Sequence, residues 1–154
     1  MTVTADSIVQ CARSWIGTRY HHQGRLKADA PRHRGGVDCL GLLVGIAREL
    51  QLCDADGTPL ADFDRTDYAL NVASEPLCIT LRRLLREKAV ADMAHGDVAL
   101  FALDRSPQHL AVLTSNTLIF HMIHAYASAR AVVENRLDNQ WKSKLAGVYS
   151  LTCR

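Results

Sequence analysis

The run Gly35-Gly36-Val37-Asp38-Cys39-Leu40-Gly41-Leu42-Leu43-Val44-Gly45-Ile46-Ala47-Arg48-Glu49-Leu50 decides what this chain can fold into. Two glycines make a flexible approach. After them Cys39, Leu42, Leu43, Ile46 and Leu50 recur at helical spacing, and Leu40, Val44 and Ala47 widen the stripe, which predicts a largely buried helix from about Asp38 to Leu50. The apolar part ends at Arg48-Glu49 and is far too short to span a bilayer. Cys39 falls in the first turn, where unpaired backbone N–H groups and the helix dipole converge and favour thiolate over thiol. A thiolate attacks amide or ester carbonyls, and the same N–H groups can stabilise the oxyanion that forms. The plain alternative is a small hydrophobe in a core helix.

Upstream, Ile8, Cys11, Ala12, Trp15 and Ile16 share one face of a helix predicted over 5–16, with Thr4 as N-cap and Gly17 as its stop. Residues 18–37 read as a long irregular loop carrying Arg25, Lys27, Arg32 and Arg34. That basic group is either a solvated face or an attractor of carboxylate-rich substrate. Downstream, Asp54-Ala55-Asp56-Gly57 marks a turn. Ser74-Glu75-Pro76 starts a helix with Leu77, Leu81, Leu84 and Leu85 inward and Arg82, Arg83, Arg86 and Lys88 outward. After His95-Gly96-Asp97 the period changes to that of strands: 98–101, 109–114, 118–126, 131–135 and 146–151, with a hairpin at Ser115-Asn116. Helices followed by consecutive antiparallel strands predict an α+β domain, with N-terminal helices packed on a C-terminal antiparallel sheet.

Composition bounds the rest. The chain has 154 residues, 48% apolar and 22% charged, which predicts one domain over 1–154 with a true core. Eighteen basic against sixteen acidic residues leave a net charge of +2, too balanced to argue for nucleic acid or a membrane surface as partner. The five cysteines, Cys11, Cys39, Cys53, Cys78 and Cys153, are odd in number and show no CxxC or zinc-finger spacing, so neither a disulfide framework nor a metal site is expected. The N-terminal residues show neither a basic n-region nor an apolar h-region, so synthesis in the cytoplasm without a secretory signal is expected.

A cysteine nucleophile needs a base and a group to orient it. His109 opens a strand whose other members, Leu110 to Leu113, are apolar, so it is either a base presented by a sheet or a partly exposed strand-end residue. His121 and His124, three apart on the next strand, point to opposite faces; they make a poor chelating pair, and only one of them shares a face with His109.

These residues fall into a known pattern. Ala12-Arg13-Ser14-Trp15-Ile16-Gly17-Thr18-Arg19-Tyr20, Gly36-Val37-Asp38-Cys39-Leu40-Gly41-Leu42, Gly96-Asp97-Val98-Ala99-Leu100-Phe101, His109-Leu110-Ala111-Val112 and Ile123-His124-Ala125 resemble, in order, the NlpC/P60 family of cysteine peptidases. The likeness runs from about Ile8 to Leu151 and is nearest to the phage-type branch, which similarly has His-Gln after the tyrosine, Asp-Cys-Leu-Gly-Leu at the nucleophile and a tryptophan near the C-terminus, here Trp141. The stretch from Tyr20 to Cys39 is longer than in typical members, and the gap between His109 and His124 is also longer, which keeps His121 in view as the orienting residue.

The resemblance implies a papain-like fold with Cys39 as nucleophile, His109 as base and His124 as the third polar residue. It places Tyr20 and Asp38 at the substrate-binding, nucleophile-shaping positions, with no cofactor. It further implies hydrolysis of peptidoglycan stem peptides, between D-glutamate and a diamino acid, through an acyl-enzyme. The partners implied are stem peptides and other phage tail proteins, with the enzyme carried to the cell wall by a tail or virion. Two alternatives remain: a non-catalytic tail component on a peptidase fold, and a thioesterase or acyltransferase of the same fold.

Overall fold

A computed structural model describes residues 2–64, 75–103, 106–116 and 118–152. Ser74, read above at the start of a helix, and Cys153 lie outside the described residues. The first helix, α1 (Ala5–Arg13), opens with a reciprocal cap in which Thr4 Oγ1 accepts from the Ser7 N–H and Ser7 Oγ accepts from the Thr4 N–H, satisfying donors that a helix start leaves open. It ends three residues before the predicted limit. Trp15 and Ile16 belong to a following turn that Gly17 closes at φ +92°, a conformation suited to glycine.

Residues 18–37 are less irregular than predicted. Strands β1 (Arg25–Leu26) and β2 (Gly36–Val37) pair antiparallel, and isolated bridges join Tyr20 to Val37 and Arg19 to Ala131. Two-residue ladders carry no hydrophobic period, so the sequence had nothing to show for them. Helix α2 (Cys39–Glu49) matches expectation, with Asp38 as its N-cap. Its glycines are packing positions. A Cβ on Gly41 would run into the Gly24 carbonyl, and one on Gly45 into the Trp15 ring.

Helix α3 (Glu75–Leu84) presents Leu81 to the core but stops before Arg86. Arg86 and Lys88, predicted on its wet side, instead form β3 (Arg86–Lys88), which pairs with the last strand. Lys88 is held there by an ion pair to Asp97 at 2.6 Å. Tertiary pairing overrides a helical pattern in this segment.

The main sheet contains β3, β4 (Val98–Leu103), β5 (Ser106–Ser115), β6 (Phe120–Tyr126), β7 (Ala131–Arg136) and β8 (Leu145–Ser150), in the order β3-β8-β4-β5-β6-β7. The expected hairpin joins β5 and β6, but β6 starts at Phe120, two residues later than read, and Leu118 projects into solvent. A short helix, α4 (Asn139–Lys142), is capped by Asp138.

Alternation divides the sheet into two faces. Val98, Leu100, Leu110, Val112, Ile123 and Ala125 pack with α1 and α2 around Ile8, Trp15, Leu42 and Ile46. Ala99, Phe101, Ala111, Leu113 and Met122 form a second core on the other face with Leu137 and Trp141. The architecture is α+β, helices on an antiparallel sheet, as the sequence led us to expect.

Because α2 lies directly on the Trp15 ring at Gly45, Gly45→Ala is expected to cost about 1–3 kcal/mol through overpacking. Urea denaturation should show a lowered midpoint, and a second substitution at Trp15 should be less than additive with it.

Candidate active site

Cys39 owes its position to its neighbour. The Asp38 carboxylate, almost fully buried, accepts from the Gly41 N–H at 2.8 Å as helix cap, from the Gln23 N–H at 2.8 Å and from Arg25 Nη1 at 3.1 Å. Arg25 Nε in turn donates to both oxygens of Asp64, at 3.0 and 3.1 Å. One buried anion thus ties the start of α2 to the 20–37 segment and, through Arg25, to Asp64. Asp38 therefore fixes the backbone at the start of α2, beside Cys39. Arg25 and Lys27 are not a solvated face: Lys27 pairs with Glu49 at 2.9 Å. Arg32 and Arg34 are the exposed members of the basic group.

The cysteine sits where the sheet opens. Pairing of β5 with β6 ends at Val112–Ile123, while β6 continues along β7 as far as Tyr126–Ala131. Into that divergence comes the first turn of α2. Cys39 Sγ donates to the Gln108 carbonyl at 3.7 Å, and the N–H groups of Leu110, Leu40 and Cys39 face the sulfur. Burial, and secondarily the Asp38 charge, push the thiol up to about 11, against those three N–H groups. The helix start thus favours thiolate, as its position suggested, but burial outweighs it.

His109 and His124 lie on the sheet face away from α1 and α2. His109 Nε2 is 2.7 Å from His124 Nδ1, and His124 Nε2 is 2.8 Å from Asn135 Oδ1. His121 is on the opposite face of β6, facing Thr114 and Arg136 in the strand register. Both paired histidines are buried, at 6% and 0% exposure, under an aromatic cover. Tyr126 stacks on His124 at 4.9 Å, and Trp141 from α4 meets His124 edge-on at 5.3 Å and His109 at 5.7 Å. Phe101, opposite His109 on β4, supports Trp141 at 5.2 Å. Burial, then the facing His124, lowers His109 to about 3; burial lowers His124 as well, with the Asn135 hydrogen bond opposing. Both shifts favour a neutral thiol and a neutral imidazole at rest. Tyr20 is half-buried, and burial, then the Cys39 and Asp38 charges, push its phenol up to about 12, so its ring belongs to the same neighbourhood. Among the described residues no three His, Cys, Asp or Glu side chains are placed to hold a metal ion.

No protein-family model and no curated protein matches the chain, but solved structures do. A NlpC/P60 family protein from Bacillus cereus ATCC 10987 superposes on 99% of this chain with a TM-score of 0.68 and 19% identity. The NlpC/p60 domain of the peptidoglycan hydrolase SagA covers 96% of it, and is itself 99% covered, at 0.61 and 18% identity. The fold is the papain-like NlpC/P60 fold. A N-acetylmuramoyl-L-alanine amidase from Bacteroides uniformis ATCC 8492 also shares it, at 0.55 and 11% identity over 94% of this chain and 96% of that one. The chain spans about two fifths of the Bacillus cereus protein, 41% of its length.

On this NlpC/P60 fold the structure brings Cys39 to the backbone on either side of His109, His109 to His124, and Tyr20 within electrostatic reach of the cysteine. Sequence reasoning missed Asn135, Tyr126 and Phe101, and noted Trp141 only through its resemblance. Asn135 was in principle findable: it lies two residues beyond Val133, the residue opposite His124 in the register of β6 and β7, a diagonal neighbour on the same face.

Two outcomes follow from the charge states. Alkylation of Cys39 by iodoacetamide, mapped by mass spectrometry, should rise continuously from pH 6 to pH 10; a plateau from pH 5 to 8 would indicate a preformed thiolate–imidazolium pair instead. Below about pH 6.5 the unfolded chain protonates its histidines while folded His109 stays neutral down to about 3, so its contribution is intact above pH 6.5 and is lost as the pH falls. The slope of stability against pH between 6 and 4 should be shallower in His109→Gln by up to about 1.4 kcal/mol per pH unit, measured by urea titration.

Proposed function

We propose that this protein is a cysteine peptidase of peptidoglycan, cleaving stem peptides between D-glutamate and the diamino acid. The observation that carries the reading is Cys39, at a helix start, set against the backbone that flanks His109, whose ring pairs with His124 at the opening between β5 and β6. Fold neighbours that include a peptidoglycan hydrolase domain and an amidase support the substrate class.

In this mechanism Cys39 Sγ attacks the scissile carbonyl as His109 takes the thiol proton, so charge develops only during attack. The Cys39 N–H at the helix start faces the developing oxyanion. His109 returns the proton to the leaving amine as the C–N bond breaks, leaving a thioester on Cys39. Water then attacks that thioester, giving its proton to His109, and the thiol is restored. His124 accepts from His109 and stabilises the imidazolium formed in each half. Tyr20 lines the site, and Asp38 keeps the nucleophile in place.

We place the enzyme on a phage tail, delivered to the cell wall by the particle. The support is the likeness of Tyr20-His21-His22-Gln23, Asp38-Cys39-Leu40-Gly41-Leu42 and Trp141 to the phage-type branch.

Purified muropeptides incubated with the protein under reducing conditions should give products split at the D-glutamyl bond, read by mass spectrometry. Cys39→Ala should abolish the products while leaving the thermal transition intact. Loss of the whole peptide from muramic acid would assign the amidase reaction, and intact muropeptides and sacculi would overturn the reading.

A further inference from the structure

The buried histidine pair does not by itself determine which ring nitrogen of His109 carries a proton, yet that choice decides whether the ring can act on Cys39. A neutral imidazole donates from one nitrogen and accepts at the other, and the partner at one end fixes the tautomer at the other. In a pair linked from Nε2 to Nδ1 there are two self-consistent arrangements. In one, protons sit on His109 Nε2 and His124 Nε2. In the other they sit on His109 Nδ1 and His124 Nδ1, which leaves His109 no lone pair to receive a thiol proton.

The end of the line breaks the tie. Asn135, exposed on the outer strand β7, presents Oδ1 to His124 Nε2 at 2.8 Å. The amide turns its oxygen and not its NH2 to the ring, and an oxygen only accepts, so this arrangement calls for hydrogen on His124 Nε2 and leaves His124 Nδ1 bare. His109 Nε2–H then donates to it across 2.7 Å, and the His109 lone pair is on Nδ1. The stacked Tyr126 and edge-on Trp141 hold the His124 ring in the plane this line requires, but neither contact discriminates between its nitrogens.

We propose that Asn135 is a positioning residue that sets the proton arrangement of both buried histidines, leaving His109 Nδ1 as the proton acceptor for Cys39. The proposal rests on the peptidase reading for its purpose, but its physical content is a tautomer and is measurable without substrate. Asn135 touches no reacting atom; it acts through two rings.

The test has two parts, both on the full chain. In the 15N-labelled protein at neutral pH, two-bond correlation spectra should show the Nε2–H tautomer for His109 and for His124, assigned by single His→Gln variants. Nδ1–H on His109 in the unsubstituted protein overturns the proposal. Asn135→Leu removes the acceptor on an exposed edge strand and should lower the Cys39 alkylation rate at pH 7 by about 10- to 100-fold, with mixed tautomers. Asn135→Asp, which keeps an acceptor oxygen at the same place, should recover most of the lost rate and the Nε2–H tautomers. Equal rates and tautomers in the Leu variant overturn the proposal. If the Leu variant does not fold, the tautomers of the unsubstituted protein and of the Asp variant still decide it. Uncleaved muropeptides together with the stated tautomers would remove the peptidase reading and leave this assignment standing.

Discussion

A carboxylate with almost no exposed surface has to be surrounded by donors, because an unpaired buried charge costs more than a small domain has to spare. Asp38 meets that requirement by drawing its donors from three places in the chain: the first turn of its own helix, the backbone of Gln23, and the guanidinium of Arg25, itself held by Asp64. Each of these segments is thereby located relative to Cys39, one residue away. The glycines nearby serve the same arrangement, since a side chain on Gly41 would keep the Gly24 carbonyl off the helix. Cys39 is thus set at the helix start through its neighbour, from its own side of the molecule.

The other half of the site is built on the sheet by a different constraint. β5 and β6 pair only near their hairpin, so the two strands diverge where His109 and His124 project, and the first turn of α2 enters beside β5. Side-chain alternation puts both histidines on the face opposite the helix core, where Phe101, Tyr126 and Trp141 exclude water. The consequence is chemical. Desolvation favours neutral forms of thiol and imidazole alike and works against a resting ion pair. Hydrogen-bond direction along the line from His109 to Asn135 then matters more than charge.

Much of the architecture was legible. The α2 stripe, the Thr4 cap, the change of period after Gly96-Asp97 and the strand alternation are local signals, and each corresponds to an element in the structure. The segments that were misread lacked such a signal. Arg86 and Lys88 continue a helical pattern and become a strand because β8 and Asp97 lie beside them. The β1–β2 ladder is two residues long. In the candidate site, Cys39 stood out by its place at a helix start, and the opposite faces of His121 and His124 followed from strand geometry. Which of the two meets His109 did not, because that depends on strand register and order.

By itself, then, the sequence determined the elements, the inward and outward faces, and the residue types capable of nucleophilic chemistry, because caps, periods and turns act over a few residues. The tertiary structure decided the burial of Cys39, which of the two β6 histidines meets His109, and the presence of Asn135 and the aromatic cover. Burial, register and the meeting of α2 with a divergent pair of strands depend on segments far apart in the chain, and no local pattern contains them.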